Sequence, residues 1–394
     1  MKDRPAAIVT DGLWRKSLSA IRSLGKSGFD VTVMGDSVWT TGFWSRFCRR
    51  RVKAPTAALD AEGFGRALQA EIDRMHGQGR CPVLIPMEEA TLDWITRNLS
   101  SFQDKVYLLV PPPESLAIAR DKGLTQRAAR EAGIPTPQTW EPATPEEFAR
   151  QAAQLEAHSF VTKPRSGSSS IGVTYGEPRS DSDWVAHWSR FGPMIIQERI
   201  PAQGRGQGVS VLFDAQGRCL AAFAHERLQQ YPNSGGPSTD RVSIDAPELL
   251  EHSLHLLRHL NWRGIAMVEW KVHPRDGKPR LMEINPRFWG SLELAVRSGM
   301  DFPALYARAA MREQVAPIEG YQTGVRCRWM MPGELLRYAS QPRTDRESLS
   351  GFLRGLPSQA EEWDRQDLRG GLASIVCTGA LALHPRYWKY LKRP

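Results

Sequence analysis

The chain is poor in the features that assign a protein by inspection. Its 394 residues hold only five cysteines, Cys48, Cys81, Cys219, Cys327 and Cys377, odd in number and scattered without metal-ligand spacing. That pattern excludes a disulfide framework and a cysteine zinc site, and it fits reduced thiols. No segment reaches the roughly 18 apolar residues of a membrane span; Gly371–Leu383 is apolar but shorter. The first strand-like segment is followed by Asp11-Gly12 and not by the Gly-x-Gly-x-x-Gly of a dinucleotide site. No Ser-His or Cys-His constellation marks a protein nucleophile.

What remains is a globular chain with 41% hydrophobic residues and both signs of charge, long enough for two or three domains. Met1-Lys2-Asp3-Arg4-Pro5 runs straight into Ala6–Thr10, an arrangement without a signal peptide, so a cytoplasmic location is expected. The formal charge of +9 favours anionic partners. Its densest cluster, Arg46-Phe47-Cys48-Arg49-Arg50-Arg51-Val52-Lys53, has no nucleic-acid motif beside it. It reads as a solvated or ligand-steering face, and no specific nucleic acid is expected.

Residues 6–113 alternate strand and helix signals: Ala6–Thr10, a helix Arg15–Lys26, Val31–Met34, Val83–Pro86, a helix from about Glu88, and Val106–Val110. This βαβ pattern predicts a parallel sheet, and Pro111-Pro112-Pro113 marks its end. Helices are predicted over Glu114–Ala119, Lys122–Ala132 and Pro145–Ala157, the second closed by a left-handed Gly133. The strand Ser159–Pro164 then feeds Arg165-Ser166-Gly167-Ser168-Ser169-Ser170-Ile171-Gly172-Val173. Such a loop can fold backbone N–H groups over phosphates, but alone it is an ordinary flexible hairpin, and it lacks P-loop spacing. Strands Met194–Ile200, Val209–Phe213 and Cys219–Ala224 follow, with a breaker-rich loop over Tyr231–Thr239, too polar for a core, and a helix Pro247–Leu260.

The richest stretch is Leu281-Met282-Glu283-Ile284-Asn285-Pro286-Arg287. As a strand it turns Glu283, Asn285 and Arg287 to one face with Leu281 in line, and Met282 and Ile284 to the other. Ile265–Val272 is a second strand, and Arg275-Asp276-Gly277 reads as a three-residue hairpin loop that sets Glu269 opposite Glu283. A two-residue loop would split the two carboxylates between faces; the apolar pattern favours the first register. Facing carboxylates repel unless protonated or bridged, so a divalent cation is the economical explanation.

Taken in order, Asp121-Lys122, Gly133-Ile134-Pro135-Thr136-Pro137, Val161-Thr162-Lys163-Pro164 with its Gly/Ser loop, Gln197-Glu198-Arg199-Ile200-Pro201, Glu269 and Glu283–Arg287 resemble the ATP-grasp superfamily. The nearest group is that of the carbamoyl-phosphate synthase large chain and predicted carboxylate–amine ligases, and the likeness covers about residues 5–312. It implies an α/β and α+β chain: a pre-ATP-grasp parallel-sheet domain over 1–113 and a two-subdomain ATP-grasp fold over 114–312. The small subdomain would span about 120–200 and the large one about 201–312, with a small C-terminal extension of unknown role over 313–394. It also implies ATP and Mg²⁺ (or Mn²⁺) as cofactors. By the same likeness Lys122 and Lys163 contact phosphates, and Ser166, Gly167, Ser168 and Ser169 form a flap over them. Gln197, Glu198, Arg199 and Ile200 resemble the adenine linker; Glu269, Glu283 and Asn285 the metal ligands; Arg287 the arginine facing the transferred phosphate. Arg227 is a candidate second cation there, or a surface residue.

One departure stands out. Relatives carry an acid after the adenine linker for the ribose hydroxyls, whereas Gln203-Gly204-Arg205-Gly206-Gln207-Gly208 has none; Gln207 is the hydrogen-bonding substitute. The resemblance implies an ADP-forming carboxylate–amine ligase acting on small molecules through an acyl phosphate. His225 and the loop 233–239 are candidate substrate contacts. The alternatives are an ATP-binding protein of this fold without catalysis and a basic nucleic-acid-binding protein. The sequence leaves oligomerisation open. The basic, aromatic stretch after Leu383 fits either a weak membrane-surface contact or a packed element with a charged end.

Overall fold

A computed structural model of the chain describes residues 4–383 apart from 168–171, 178, 202, 233–234, 343, 345, 355 and 357. Short apolar runs followed by returning helices build a parallel sheet from β1 (Ala6–Val9), β2 (Asp30–Gly35), β3 (Cys48–Lys53) and β4 (Val83–Ile85), in the order β3-β2-β1-β4. Side-chain alternation sends Ala7, Val9, Val31 and Val33 to one face and Ala6, Ile8, Met34 and Leu84 to the other. The helix Arg15–Lys26 covers the first face with Ile21 and Leu24. The helix Ala61–His76, capped by the Asp60 carboxylate accepting from the Gly63 N–H, covers the second with Phe64, Leu68 and Ile72.

Two expectations change here. The arginine cluster is itself the edge strand β3, with Arg49, Arg50, Arg51 and Lys53 exposed; edge strands commonly carry such charge against unwanted pairing. The strand expected at Val106–Val110 contributes only a bridge between Tyr107 and Val83. Beyond it the Leu109 N–H donates to the Tyr306 hydroxyl at 3.2 Å, so the chain has left the sheet.

A small antiparallel sheet follows, β5 (Thr139–Trp140), β6 (Phe160–Pro164) and β7 (Met194–Glu198), ordered β5-β7-β6. Phe148 and Trp184 from its two helices meet edge-to-face at 5.5 Å over Phe160, Met194 and Ile196. The large sheet is antiparallel throughout: β8 (Arg205–Phe213), β9 (Cys219–Gln230), β10 (Ser238–Ser243), β11 (Gly264–Val272), β12 (Pro279–Asn285) and β13 (Arg326–Arg328). Its order is β12-β11-β8-β9-β10-β13. The helix Pro247–His259 buries Leu256 and Leu257 on Val209, Val211 and Val268 of one face. The other face shares one continuous core with the parallel sheet, through Phe288, Trp289, Phe302 and Tyr306. The polar loop expected over 231–239 ends early, because Ser238 and Thr239 are buried in β10; residues 233 and 234 lie outside the described residues.

The β11–β12 hairpin sets Glu269 opposite Glu283, by a different route from the one expected. The His273 N–H donates to the Lys278 carbonyl (2.9 Å), so the loop has four residues, with Gly277 at φ 67°. A bulge then resets the register: Trp270 faces Leu281, whereas Glu269 faces Glu283. Leu281 therefore joins Ile284 and Trp270 in the core and is not in line with Glu283. The bulge carbonyls of Leu281 and Met282 accept from Gln126 Nε2 at 3.1 and 3.2 Å. Arg287 lies past the end of β12.

Residues 326–383 tie the two ends of the chain together. β13 extends the large sheet, and beyond it Arg22 Nε meets Asp367 Oδ2 at 3.0 Å with side chains 3% and 0% exposed. Asp367 also accepts from the Ser45 hydroxyl and the Arg46 N–H, both at 2.8 Å. Glu361 accepts from Arg15 at 3.0 Å and from the fully buried Arg241. Removing one partner of such a pair leaves a buried charge alone. Asp367→Ala is expected to lower the unfolding free energy by about 3–5 kcal/mol, measured as a lower denaturant midpoint; an unchanged midpoint would contradict this fastening role.

Candidate functional site

Alternation along β11 turns Ile265, Met267 and Glu269 to the face shared with the parallel sheet. Glu269 lies between Glu283 of β12 and Gly208 of β8. A Cβ on Gly208 would come within 2.5 Å of the His225 ring, so the glycine is what lets that ring lie against the strand. His225 is 1% exposed, near-parallel to Phe223 and 3.1 Å from the Ser291 hydroxyl. Burial pushes its pKa down to about 3, so it is held as a neutral packed group.

Three predicted ligands do converge. Asn285 Nδ2 donates to Glu269 Oε1 at 3.2 Å and to Glu283 Oε1 at 3.3 Å. The other Glu269 oxygen meets Arg227 Nη2 at 2.5 Å, which brings the half-buried Arg227 into the cluster. Burial raises the Glu269 carboxyl above its usual range, and Glu283 adds to this against the pull of Arg227. Two facing carboxylates and an amide oxygen are a hard-cation donor set, and turning the Asn285 amide over would present its oxygen between them. Among the described residues no cluster of three or more His, Cys, Asp or Glu is poised for an ion, since the third group here is an amide.

The small sheet contributes the facing side. Lys163 of β6 donates to Gln197 Oε1 of β7 at 2.8 Å, and Gln197 Nε2 donates to the Thr139 hydroxyl at 3.1 Å. Burial pushes Lys163 down to about 8, with the fields of Glu283 and Glu269 acting the other way, so it lies within electrostatic reach of both carboxylates. Lys122 begins the helix Lys122–Glu131, capped by Asp121, and its Nζ donates to the Gly167 carbonyl at 2.7 Å. Gly167 has φ 114° and, with Ser166, is exposed; Ser168 and Ser169 lie outside the described residues.

The remaining candidates are more engaged than the sequence suggests. The Glu198 N–H donates to the Gln138 carbonyl at 2.8 Å, and its side chain accepts from the Gln138 N–H at 3.1 Å. The Ile200 carbonyl accepts from Lys271 Nζ at 3.0 Å. Arg199 sits over the Tyr175 ring at 5.1 Å. Buried Gln207 donates to Glu226 Oε2 at 2.8 Å, so a carboxylate reaches the acid-free stretch from the neighbouring strand. Arg287 donates to the Phe288 carbonyl at 3.0 Å, with its Nε buried and unpartnered among the described residues.

Sequence reasoning missed what surrounds Arg287. Lys16 Nζ reaches Glu88 at 2.7 Å and the Phe288 carbonyl at 3.2 Å; burial, with Arg287 nearby, pushes it down to about 8. Asp11, at φ 53° past the end of β1, accepts from the Thr10 and Thr91 hydroxyls, and burial beside Glu88 raises it to about 6. The only signal was position: these groups stand at the carboxyl ends of parallel strands, where open α/β sheets bind ligands.

Residues 119–291 match the family described as the ATP-grasp domain. This part of the chain is an ATP-grasp domain. The chain is 25% identical over 248 residues to a D-alanine–D-alanine ligase of Paracidovorax citrulli, covering 58% of this chain and 71% of that one. It is 27% identical over 188 residues to the D-alanine–D-alanine ligase of Delftia acidovorans, covering 43% and 55% respectively. Biotin carboxylase from Campylobacter jejuni, solved as a β,γ-ATP complex, superposes with a TM-score of 0.66 at 14% identity, over 82% of this chain and 74% of that one. The fold is that of the ATP-grasp proteins, with the parallel sheet preceding the two antiparallel ones.

Competitive amine labelling across pH tests the electrostatics of this ATP-grasp cleft. Lys163 is expected to titrate near pH 8 in the free protein, and Mg-ATP is expected to raise that value because phosphate charge favours the ammonium. A value near that of a free lysine, roughly 10.4, would contradict the burial.

Proposed function

We propose that the protein is an ATP-dependent ligase that activates a carboxylate as an acyl phosphate, releases ADP and joins the acyl group to an amine. The observation that carries this reading is the cluster of Glu269, Glu283 and Asn285 on one sheet, within electrostatic reach of Lys163, which Gln197 holds on the other. The family of residues 119–291 and the D-alanine–D-alanine ligase relatives support it.

Glu269, Glu283 and Asn285 would hold Mg²⁺ or Mn²⁺, which when bound supplies charge neutralisation at the phosphates. Lys122 and Lys163 bind the polyphosphate, and Gln197 orients Lys163 through its Oε1. Residues 197–200 border the base, and Glu226 with Gln207 supplies the polar group that stretch 203–208 lacks for the ribose. Arg227, fixed by Glu269, and Arg287 stabilise charge on the phosphoryl group as a substrate carboxylate oxygen bonds to the γ-phosphorus and ADP departs. The amine then attacks the acyl carbon, loses a proton, and inorganic phosphate leaves. Positioning and electrostatics suffice, so no protein nucleophile is needed.

Glu283→Gln and Lys163→Ala are each expected to reduce substrate-dependent ADP release by about 10²-fold or more, with circular dichroism unchanged. Screening carboxylate and amine pools for ADP formation supplies the assay. Turnover retained in both variants would overturn the assignment; tight Mg-ATP binding without turnover across the panel would identify a non-catalytic nucleotide-binding protein.

A further inference from the structure

The helix Leu368–Leu383 buries one side and leaves the other bare. Ala373 and Cys377 pack inward, next to the helical turn Thr41–Trp44. Leu368, Leu372, Ile375 and Val376 are exposed, Leu372 at 63% and Val376 at 52%. Spacings of four, seven and eight residues put all four on one face of the helix. Trp44, 45% exposed, stands on the turn beside it. Isolated exposed apolar residues are ordinary, but a contiguous helical face of them is not.

Basic side chains border this face. The Arg51 guanidinium lies over the Trp44 ring at 5.2 Å, and Arg46 Nη1 donates to the Gln366 carbonyl just before the helix at 3.2 Å. These contacts join the exposed basic edge β3, with Arg49, Arg50, Arg51 and Lys53, to the helix. After Asp367 the sequence holds five Lys or Arg (Arg369, Arg386, Lys389, Lys392, Arg393) and no Asp or Glu, interleaved with Tyr387, Trp388 and Tyr390. Among the described residues no helix is long and apolar enough to cross a membrane.

We propose that this face is a docking surface for an anionic lipid membrane, on which the helix lies flat with its leucines and Trp44 in the headgroup boundary. An apolar helical face bordered by Lys and Arg, with Trp44 beside it, combines the two attractions that hold a protein on such a surface. A second copy fits less well. A two-fold interface would set the basic border against its own like charge. Docking of this kind would place the ATP-grasp cleft beside a membrane, whatever its substrates.

The test is co-sedimentation of the full chain with vesicles of phosphatidylcholine alone, or with about one third phosphatidylglycerol. Binding to the anionic vesicles is expected to be about tenfold stronger or more, and to weaken as salt is raised. Leu372→Glu with Val376→Glu, and separately Arg49→Glu with Lys53→Glu, are each expected to lower it about tenfold with the thermal unfolding midpoint unchanged. No binding to anionic vesicles, equal binding to neutral ones, or full binding by the glutamate variant would overturn the proposal. So would a dimer of the parent chain that Leu372→Glu with Val376→Glu dissociates, since the face would then belong to a second copy.

Discussion

Two glutamates held face to face across a hairpin organise this protein. Glu269 and Glu283 are opposed by β-sheet register, which their side chains cannot escape. Like charges that close in a half-buried place demand compensation. Arg227 takes one oxygen, the Asn285 amide bridges the carboxylates, and Lys163 approaches from the opposite sheet at the cost of its own basicity. A divalent cation with its phosphates would relieve the same repulsion and hold Lys163 more firmly as an ammonium. On the proposed function, this arrangement would suit a metal–polyphosphate complex.

The rest of the fold keeps that opposition in place. Gln126 fixes the bulge that returns Glu283 to register, and Trp270 and Leu281 bury the reverse side of the hairpin. One core runs from the parallel sheet through Phe288, Trp289 and Tyr306 to the large sheet, so the groups around Lys16 and Asp11 stand close to Arg287. Residues 326–383 close the arrangement from outside, with Arg22–Asp367 and the Arg15–Glu361–Arg241 cluster joining segments distant in sequence.

Much of this was legible in the sequence where the signal was local. The helix Arg15–Lys26 and left-handed Gly133 follow from periodicity and caps; the pairing of Glu269 with Glu283 was expected from a three-residue loop and is reached through a four-residue loop and a bulge. The bulge at Leu281-Met282 was not, because a strict period of two has no place for an extra residue. Whether Arg227 was a second cation of the site or a surface residue stayed open in the sequence, because its partner, Glu269, is 42 positions away. The edge strand β3 was hidden by its arginines, which weaken every apolar pattern used to find strands. Asp11, Lys16 and Glu88 carry no motif; only in the fold does Lys16 pair with Glu88 and share the Phe288 carbonyl with Arg287. Gln207 shows the same limit in reverse, since Glu226, absent from the linker by sequence, arrives from the next strand.

On the proposed function, Glu269 and Glu283 share a divalent cation with bound nucleotide. Electron paramagnetic resonance of Mn²⁺ in the presence of a non-hydrolysable ATP analogue measures this directly. Stoichiometric Mn²⁺ uptake that depends on the analogue, and is lost when both glutamates become glutamine, is the predicted result. Equal uptake and affinity in the doubly substituted protein would contradict the account.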